Sequence, residues 1–97
     1  MDIKVERNEL EGNTGFESTV REKLSKYFSN YPFLESIRVF FRGKKHKYKK
    51  IKLQARLKGK DVFVEANGHN HEFALELATQ KLYTQVEKYK SKHYARH

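Results

Sequence analysis

The stretch from Lys50 to Lys58 alternates strictly between polar and apolar side chains. Its even-numbered positions hold Lys, Lys, Gln, Arg and Lys, and its odd-numbered positions hold Ile, Leu, Ala and Leu. An alternation of period two predicts a β-strand with one face in the core and the other in water. A sheet with one wet face needs a covering layer on its other face, so this segment predicts a two-layer fold.

Weaker patterns on both sides of this strand complete the predicted fold. The short alternations indicate strands, and apolar residues at helical spacing indicate two helices, the first ending at Pro32 near Tyr31 and the second capped by Asn70. The predicted strands lie at residues 3–5, 37–42, 50–58 and 62–66. The predicted helices lie at 16–31, between the first two strands, and at 74–89, after the last strand. The order is therefore βαβββα.

The connections between these elements predict how the strands pair. The first two strands are joined through a helix, so we expect them to be parallel with a right-handed crossover. The third and fourth are separated only by a tight turn at Gly59-Lys60, which is typical of a hairpin. We predict an α+β fold: a four-stranded mixed sheet with two helices packed on one face.

The chain is long enough for one domain and too short for two. Its 97 residues predict a single domain over 1–97, with about 93–97 as a frayed tail. It contains no cysteine, so disulfides are excluded, and its first residues have no apolar segment typical of a signal peptide. No stretch approaches the length of a membrane span. We expect a cytoplasmic protein with no membrane partner.

Positive charge is concentrated in the middle of the chain. Between Arg42 and Lys60 there are ten Lys or Arg residues and no Asp or Glu, whereas the net charge of the whole chain is +9. Clustered like charge costs stability, so its presence predicts a polyanionic partner, most commonly nucleic acid. A second, smaller basic centre lies in the last ten residues of the sequence, at 88–97.

On the predicted elements the basic side chains fall on two surfaces. Lys23 and Lys26 flank the apolar stripe of the first helix. Lys81, Lys88 and Lys92 form a line beside the stripe of the second helix, and with both helices on one sheet face the two lines are expected to border one groove. The open face of the sheet is predicted to carry Lys4, Arg38, Arg42, Lys50, Lys52, Arg56 and Lys58 together with Phe40 and Phe63.

The histidines form no recognisable metal or catalytic pattern. His69 and His71 precede a helix without further ligands at suitable spacing, and His93 and His97 lie at the end of the sequence. No nucleophile with a neighbouring base and no glycine-rich phosphate loop is present in the sequence. We expect no catalytic residues, no metal site, no cofactor and no small-molecule substrate.

Several segments together resemble a known family. They are Val64-Glu65-Ala66-Asn67-Gly68 running into the N-cap Asn70, then Lys81-Leu82-x-x-Gln85-Val86-x-Lys88-x-Lys90-x-Lys92, and Val20-x-x-Lys23-Leu24-x-Lys26 in the first helix. With the order βαβββα, the likeness spans nearly the whole chain. The sequence resembles the bacterial ribosome hibernation factors, which include hibernation promoting factor and a ribosome-associated inhibitor also described as a sigma-factor modulation protein (S30AE ribosomal family).

The resemblance implies a partner and a mode of action. It implies binding to the small ribosomal subunit, in the channel used by messenger and transfer RNA, so that translation is blocked by occupancy. The chain resembles the short form, without a dimerisation domain, and is expected to be a monomer off the ribosome. The positions implied to meet ribosomal RNA are Lys23, Lys26, Lys81, Lys88, Lys90 and Lys92. Arg38, Arg42, Lys50, Lys52, Arg56 and Lys58 form a secondary basic surface.

Two other function classes stay open at this point. A double-stranded-RNA-binding module has the order αβββα, which this chain shows once its first strand is removed. Such modules carry lysines at the start of the second helix, whereas residues 70–80 here contain no Lys or Arg. A protein-interaction module would instead use the sheet edge or the basic face to hold an acidic partner.

Overall fold

The computed structural model describes residues 1–6, 14–42 and 49–94. The elements in chain order are β1 (Asp2–Glu6), α1 (Thr14–Phe28), β2 (Leu34–Arg42), β3 (Lys49–Leu57), β4 (Lys60–Gly68) and α2 (His71–Tyr94). The strands form one sheet in the order β1-β2-β3-β4, with β1 parallel to β2 and the other neighbours antiparallel. The predicted α+β fold, the order βαβββα and both strand pairings are confirmed.

The alternation in β3 divides the sheet into a dry face and a wet one. Ile51, Leu53, Ala55 and Leu57 are fully buried, and the polar residues between them point to the other face. Both helices cover the dry face, and their apolar stripes meet the strands there. Each large apolar side chain buried in this way contributes about 1.5–3 kcal/mol of hydrophobic stabilisation. The largest fully buried helix side chains are Val20, Leu24, Phe28, Leu75, Leu82 and Val86.

Helix α1 ends at Phe28, earlier than the predicted end near Tyr31. The last backbone bond of helical spacing runs from the Ser29 N–H to the Ser25 carbonyl at 3.1 Å, and a turn follows in which the Leu34 N–H donates to the Tyr31 carbonyl at 3.0 Å. Pro32 disfavours helical backbone at the residue before it, so the chain leaves the helix ahead of that position. Tyr31 still packs against the core from this turn.

Strand β2 begins at Leu34 rather than at the predicted Ile37, because it contains an irregularity that the alternation hides. Leu34 pairs with Leu57, but the next pair is Ser36 with Arg56, so β2 has one extra residue between Leu34 and Ser36. The bulge keeps both Leu34 and Ile37 on the buried face although they are three positions apart.

The boundary between β4 and α2 depends on Gly68 and Asn70. The sequence predicted that Asn67-Gly68 would stop the strand, but β4 includes Gly68. A Cβ at this position would lie 2.7 Å from the Phe73 ring and 2.9 Å from the Ala74 nitrogen, so only glycine lets the helix start this close to the strand. The Phe73 N–H donates to Asn70 Oδ1 at 2.8 Å, which confirms Asn70 as the N-cap of α2.

The hairpin turn lies one residue earlier than predicted. Lys60 already belongs to β4 and pairs with Leu57, so the two turn residues are Lys58 and Gly59. Gly59 has a φ of 76°, a left-handed conformation that glycine adopts without the steric cost a Cβ would bring. Of the predicted frayed tail at 93–97, His93 and Tyr94 belong to α2. Residues 95–97 lie outside the described residues.

Within the described ranges, neither α1 nor α2 combines the length and the apolar content that crossing a membrane requires.

Candidate nucleic-acid interface

Helix α2 is divided lengthwise by charge. At 100° per residue, its three acidic side chains fall on the half that faces α1, and three of its four lysines fall on the half that faces β4. Contacts fix this orientation: Glu76 pairs with Lys23 of α1, and the Lys81 Nζ donates to the Glu65 carbonyl of β4 at 2.8 Å. The β4-facing half of α2 therefore carries bases without acids.

We call Lys81, Lys88 and Lys92 the lysine row. All three are exposed, and at 1.5 Å per residue the row extends over about 16 Å of helix. Lys81 also covers an outward carbonyl of the edge strand β4 through its bond to Glu65. Within the described residues, Lys88 and Lys92 have no ion pair and no side-chain hydrogen bond, so their ammonium groups are available to a partner.

The lysine row and the lysines of α1 do not border a common groove, and that expectation was wrong. Helix α1 contacts β1, while α2 lies over β3 and β4. The lysine row lies on the half of α2 that faces the β4 edge of the sheet, so it points away from α1. A shared groove would have required Lys81 on the same side of α2 as Glu76, and these two side chains lie on opposite sides.

The groove between the helices is occupied by acids and tyrosines instead. Lys23 binds Glu76 directly, and this ion pair, helped by a hydrogen bond from Gln80, lowers the pKa of the Glu76 carboxyl. The Tyr31 hydroxyl donates to the Glu87 carboxylate, and burial followed by this hydrogen bond raises the pKa of Tyr31. Lys23 is therefore engaged within the protein rather than open to a ligand.

The two remaining helix lysines of the predicted set differ in their surroundings. Lys26 is exposed on α1, with no ion pair inside the described ranges. The Lys90 Nζ lies 5.9 Å from the centre of the Tyr31 ring, a cation–π arrangement on the α1-facing side of α2. Of the six predicted RNA contacts, Lys26, Lys88 and Lys92 have no ion pair or hydrogen bond to the described residues, while Lys23, Lys81 and Lys90 each make a contact within the protein.

The open face of the sheet carries the predicted basic residues in rows set by the strand register. These rows, each read from β1 or β2 to β4, are Asp2–Ser36–Arg56–Asp61, Lys4–Arg38–Gln54–Phe63, Glu6–Phe40–Lys52–Glu65 and Arg42–Lys50–Asn67. Lys58 lies in the turn beyond them. The register therefore places acids from β1 and β4 beside the basic side chains of β2 and β3.

These acids neutralise much of the basic charge that the linear sequence shows. Arg56 lies 3.4 Å from Asp61 and 3.8 Å from Glu35. Arg38 pairs with Glu6 at 3.1 Å, and Lys50 pairs with Glu65 at 3.5 Å. Arg42 and Lys52 have no ion pair within the described residues. Among the four rows, the bases without an ion pair in the described part of the chain therefore lie toward the Arg42 end, while Lys58 in the turn at the opposite end is also unpaired there.

Two features of these surfaces differ from the sequence-based expectation. Tyr27 and Tyr83 are 42% and 41% exposed and meet edge to face between the helices, with ring centres 6.3 Å apart. Helical spacing alone places Tyr83 and Glu76 on the side of α2 away from Lys81, so this signal was present. The pairing of Arg56 with Glu35 and Asp61 depends on strand register, which no local pattern reveals.

Comparison with known proteins identifies the family. The model of the family described as "Sigma 54 modulation protein / S30EA ribosomal protein" matches residues 3–94. No curated protein matches the sequence. A ribosomal subunit interface protein from Coxiella burnetii superposes with a TM-score of 0.84 at 21% identity, over 94% of this chain and 99% of that one. The Protein Y N-terminal domain from Thermus thermophilus gives 0.70 at 23%, over 91% and 94%.

The two solved structures share the fold of this chain, and the family match covers nearly all of its sequence, including both helices and all four strands. The resemblance drawn from the helix lysines and the Val64–Gly68 segment is therefore confirmed. The chain belongs to the Sigma 54 modulation protein / S30EA ribosomal protein family.

Proposed function

We propose that this protein binds the small ribosomal subunit, in the channel that messenger and transfer RNA occupy, and silences translation by filling it. The observation that carries the proposal is the lysine row: Lys81, Lys88 and Lys92, exposed on the acid-free half of α2, in a chain that belongs to a ribosomal protein family. The similar Coxiella burnetii protein is described as a ribosomal subunit interface protein, which supports the same class of partner.

The lysine row suits the backbone of folded RNA. Ammonium groups spaced along about 16 Å of a rigid helix reach several phosphates at once, and releasing the counterions of those phosphates drives binding. Lys26 of α1 adds a further exposed positive charge on the helix layer. Such contacts read shape and charge rather than sequence, which is the mode by which proteins bind structured RNA.

We propose occupancy rather than catalysis because the interface offers ammonium groups, which bind phosphates and perform no reaction on them. In this proposal the protein acts as a monomer in the cytoplasm, where translating ribosomes are found. Its effect depends on competition with messenger and transfer RNA for the same space, so it should be greatest on ribosomes that carry neither.

Sedimentation with separated ribosomal subunits tests the proposal. The protein should travel with the small subunit at moderate salt and not with the large one, and prior loading of messenger and transfer RNA should displace it. Lysozyme-sized basic proteins unrelated in fold serve as the control for non-specific attraction to RNA. Failure to travel with the small subunit, or binding that messenger and transfer RNA leave unchanged, would refute the assignment to the channel.

A further inference from the structure

We propose that the open face of the sheet is a second RNA-binding site, which takes unpaired nucleotides of a single-stranded RNA by stacking their bases on Phe40 and Phe63. This site lies on the opposite side of the sheet from the helices. It therefore goes beyond the binding of folded ribosomal RNA by the lysine row, and it does not depend on that binding.

The two aromatic rings on this face differ in exposure: Phe63 is open to solvent, and Phe40 is half-buried with part of its ring accessible. Phe63 is 55% exposed, although a phenylalanine ring is among the side chains that gain most from burial. Each ring has a cation beside it: the Arg38 guanidinium carbon lies 5.3 Å from the Phe40 ring centre, and the Lys52 Nζ lies 5.4 Å from that of Phe63. An exposed ring with an adjacent cation is the unit from which single-strand binding surfaces are built.

A depression of about 450 Å³ next to Phe40 supplies room for a nucleotide. Arg42 and Lys52 on its walls have no ion pair within the described residues, and Lys50 shares Glu65 at 3.5 Å. A base stacked on Phe40 therefore has three cations near its phosphate, against two carboxylates: Glu65, and Glu6, which pairs with Phe40 across the strands and is already bound to Arg38 at 3.1 Å. The lining residues are Phe40, Phe41, Arg42, Lys50, Lys52 and Glu65.

The strand register spaces the two rings for a chain of nucleotides. Phe40 on β2 and Phe63 on β4 are separated by β3 and by one row, which corresponds to about 12 Å. Lys52 pairs directly with Phe40 and lies diagonally opposite Phe63, so it lies between the two stacking positions and can meet the phosphates that join them. A single-stranded RNA that crosses the sheet from β2 to β4 would contact all three side chains.

The occupant is single-stranded RNA rather than a duplex or an acidic peptide. Bases in a duplex are stacked on each other and cannot cover a protein ring, whereas unpaired bases can. An acidic peptide would pair with the cations, but its carboxylates would not stack on the phenylalanine rings. Arg56, which is held by Glu35 and Asp61, lies outside the site, because the depression is lined by residues at the Arg42 end of the face.

Binding of a labelled short oligouridylate, followed by fluorescence anisotropy at moderate salt, tests this site directly. The double variant F40L/F63L keeps apolar side chains but removes both rings, and we expect its affinity to fall by about tenfold or more. The variant K52Q should lower the slope of log affinity against log salt by about 0.7, the value for one phosphate contact on a single strand. Thermal unfolding of each variant reports whether the fold is kept.

The matched control is K88Q/K92Q, which removes two charges of the lysine row and keeps Lys81, because Lys81 lines a depression together with Phe63. It should reduce oligouridylate binding less than F63L alone does, while it weakens co-sedimentation with small subunits. The site is refuted if wild-type protein does not bind oligouridylate, or if F63L binds it as tightly as wild type. Because Phe63 is exposed, F63L decides the question even if F40L/F63L fails to fold. Neither outcome bears on the proposal for the lysine row, which is tested separately by sedimentation with ribosomal subunits.

Discussion

The lysine row of α2 and the open face of the sheet are both basic, but they acquire their charge in different ways. The lysine row contains three lysines of one helix, and the three acids of that helix lie on its other half. The sheet face contains part of an acid-free run of ten basic residues, yet the neighbouring strands bring Glu6, Asp61 and Glu65 into its rows. The shorter cluster therefore presents the less neutralised surface.

The difference teaches how linear charge becomes surface charge. In a helix, neighbours on the surface are three or four residues apart in sequence, so a local pattern predicts them. In a sheet, neighbours come from remote segments, so the charge of one strand says little until its register is known. Surface ion pairs contribute only about 0–1 kcal/mol each to stability, but together they decide which bases are left for a ligand.

The largest effect we expect is on the core that carries both surfaces. Leu82 of α2 is fully buried between this helix and the sheet. The variant L82A should lower the free energy of unfolding by about 3 kcal/mol, because it leaves a cavity there. Urea denaturation measures this, and the lysine row and sheet should be lost in one transition because they share a core. The control L77A, on the partly buried Leu77 of the same helix, should cost less. Separate transitions for helix and sheet would contradict a common core.

A smaller effect is expected at His71, which joins α2 to the sheet between the rings of Phe16 and Phe41. The pKa of His71 is lowered from the usual 6.5, chiefly by burial and also by the positive charge of Lys49. A hydrogen bond to the backbone of Arg42 acts in the opposite direction but does not outweigh them. The unfolded chain then binds more protons, so this contribution to stability is complete above pH 6.5 and declines as the pH falls toward the lowered folded value.

The variant H71F should remove that part of the pH dependence, because phenylalanine fits between two aromatic rings and does not titrate. Thermal unfolding between pH 7 and pH 4.5 provides the measurement. The control H93F replaces an imidazole stacked on Tyr89 at the other end of α2, and it tests whether removing any histidine from this helix gives the same change. An unchanged profile in H71F would show that His71 is not the group responsible.

The smallest effect is expected from R56Q on the sheet face. Arg56 is exposed and held by two carboxylates, so its loss should change the free energy of unfolding by at most about 1 kcal/mol. It should also leave RNA binding unchanged, because the charge of Arg56 is already neutralised. Lys52→Gln on the same face is the matched control and should weaken oligouridylate binding. A loss from R56Q equal to that from K52Q would show that the ion pairs do not shield the arginine.

Local patterns predicted the fold because they are short-range properties of the chain. The alternation around Ile51 specifies a strand with a buried face, and Asn70 specifies the start of α2, since a cap acts within one turn. The bulge at Leu34 and the requirement for glycine at position 68 depend on contacts between elements, so the sequence predicted neither. Residues 44, 45 and 47 of the basic run lie outside the described part of the chain.

The candidate site was predictable to a lesser degree. Helical spacing correctly aligned Lys81, Lys88 and Lys92, because the angle between side chains on one helix is fixed. It did not predict that Lys23 would bind Glu76, nor that the lysine row would face the β4 edge, because both depend on how α2 is rotated against α1. Rotation is set by packing of the whole core rather than by any segment of it.

Co-sedimentation with small ribosomal subunits, comparing two variants with the same change in net charge, tests the central claim most directly. One variant, K81E/K88E/K92E, reverses the lysine row, and the other, R42E/K50E/K52E, reverses the basic end of the open sheet face. At moderate salt the first should no longer travel with the subunit, while the second should still do so. Full binding by K81E/K88E/K92E, with loss of binding by R42E/K50E/K52E, would contradict this account and move the ribosome-binding surface to the sheet.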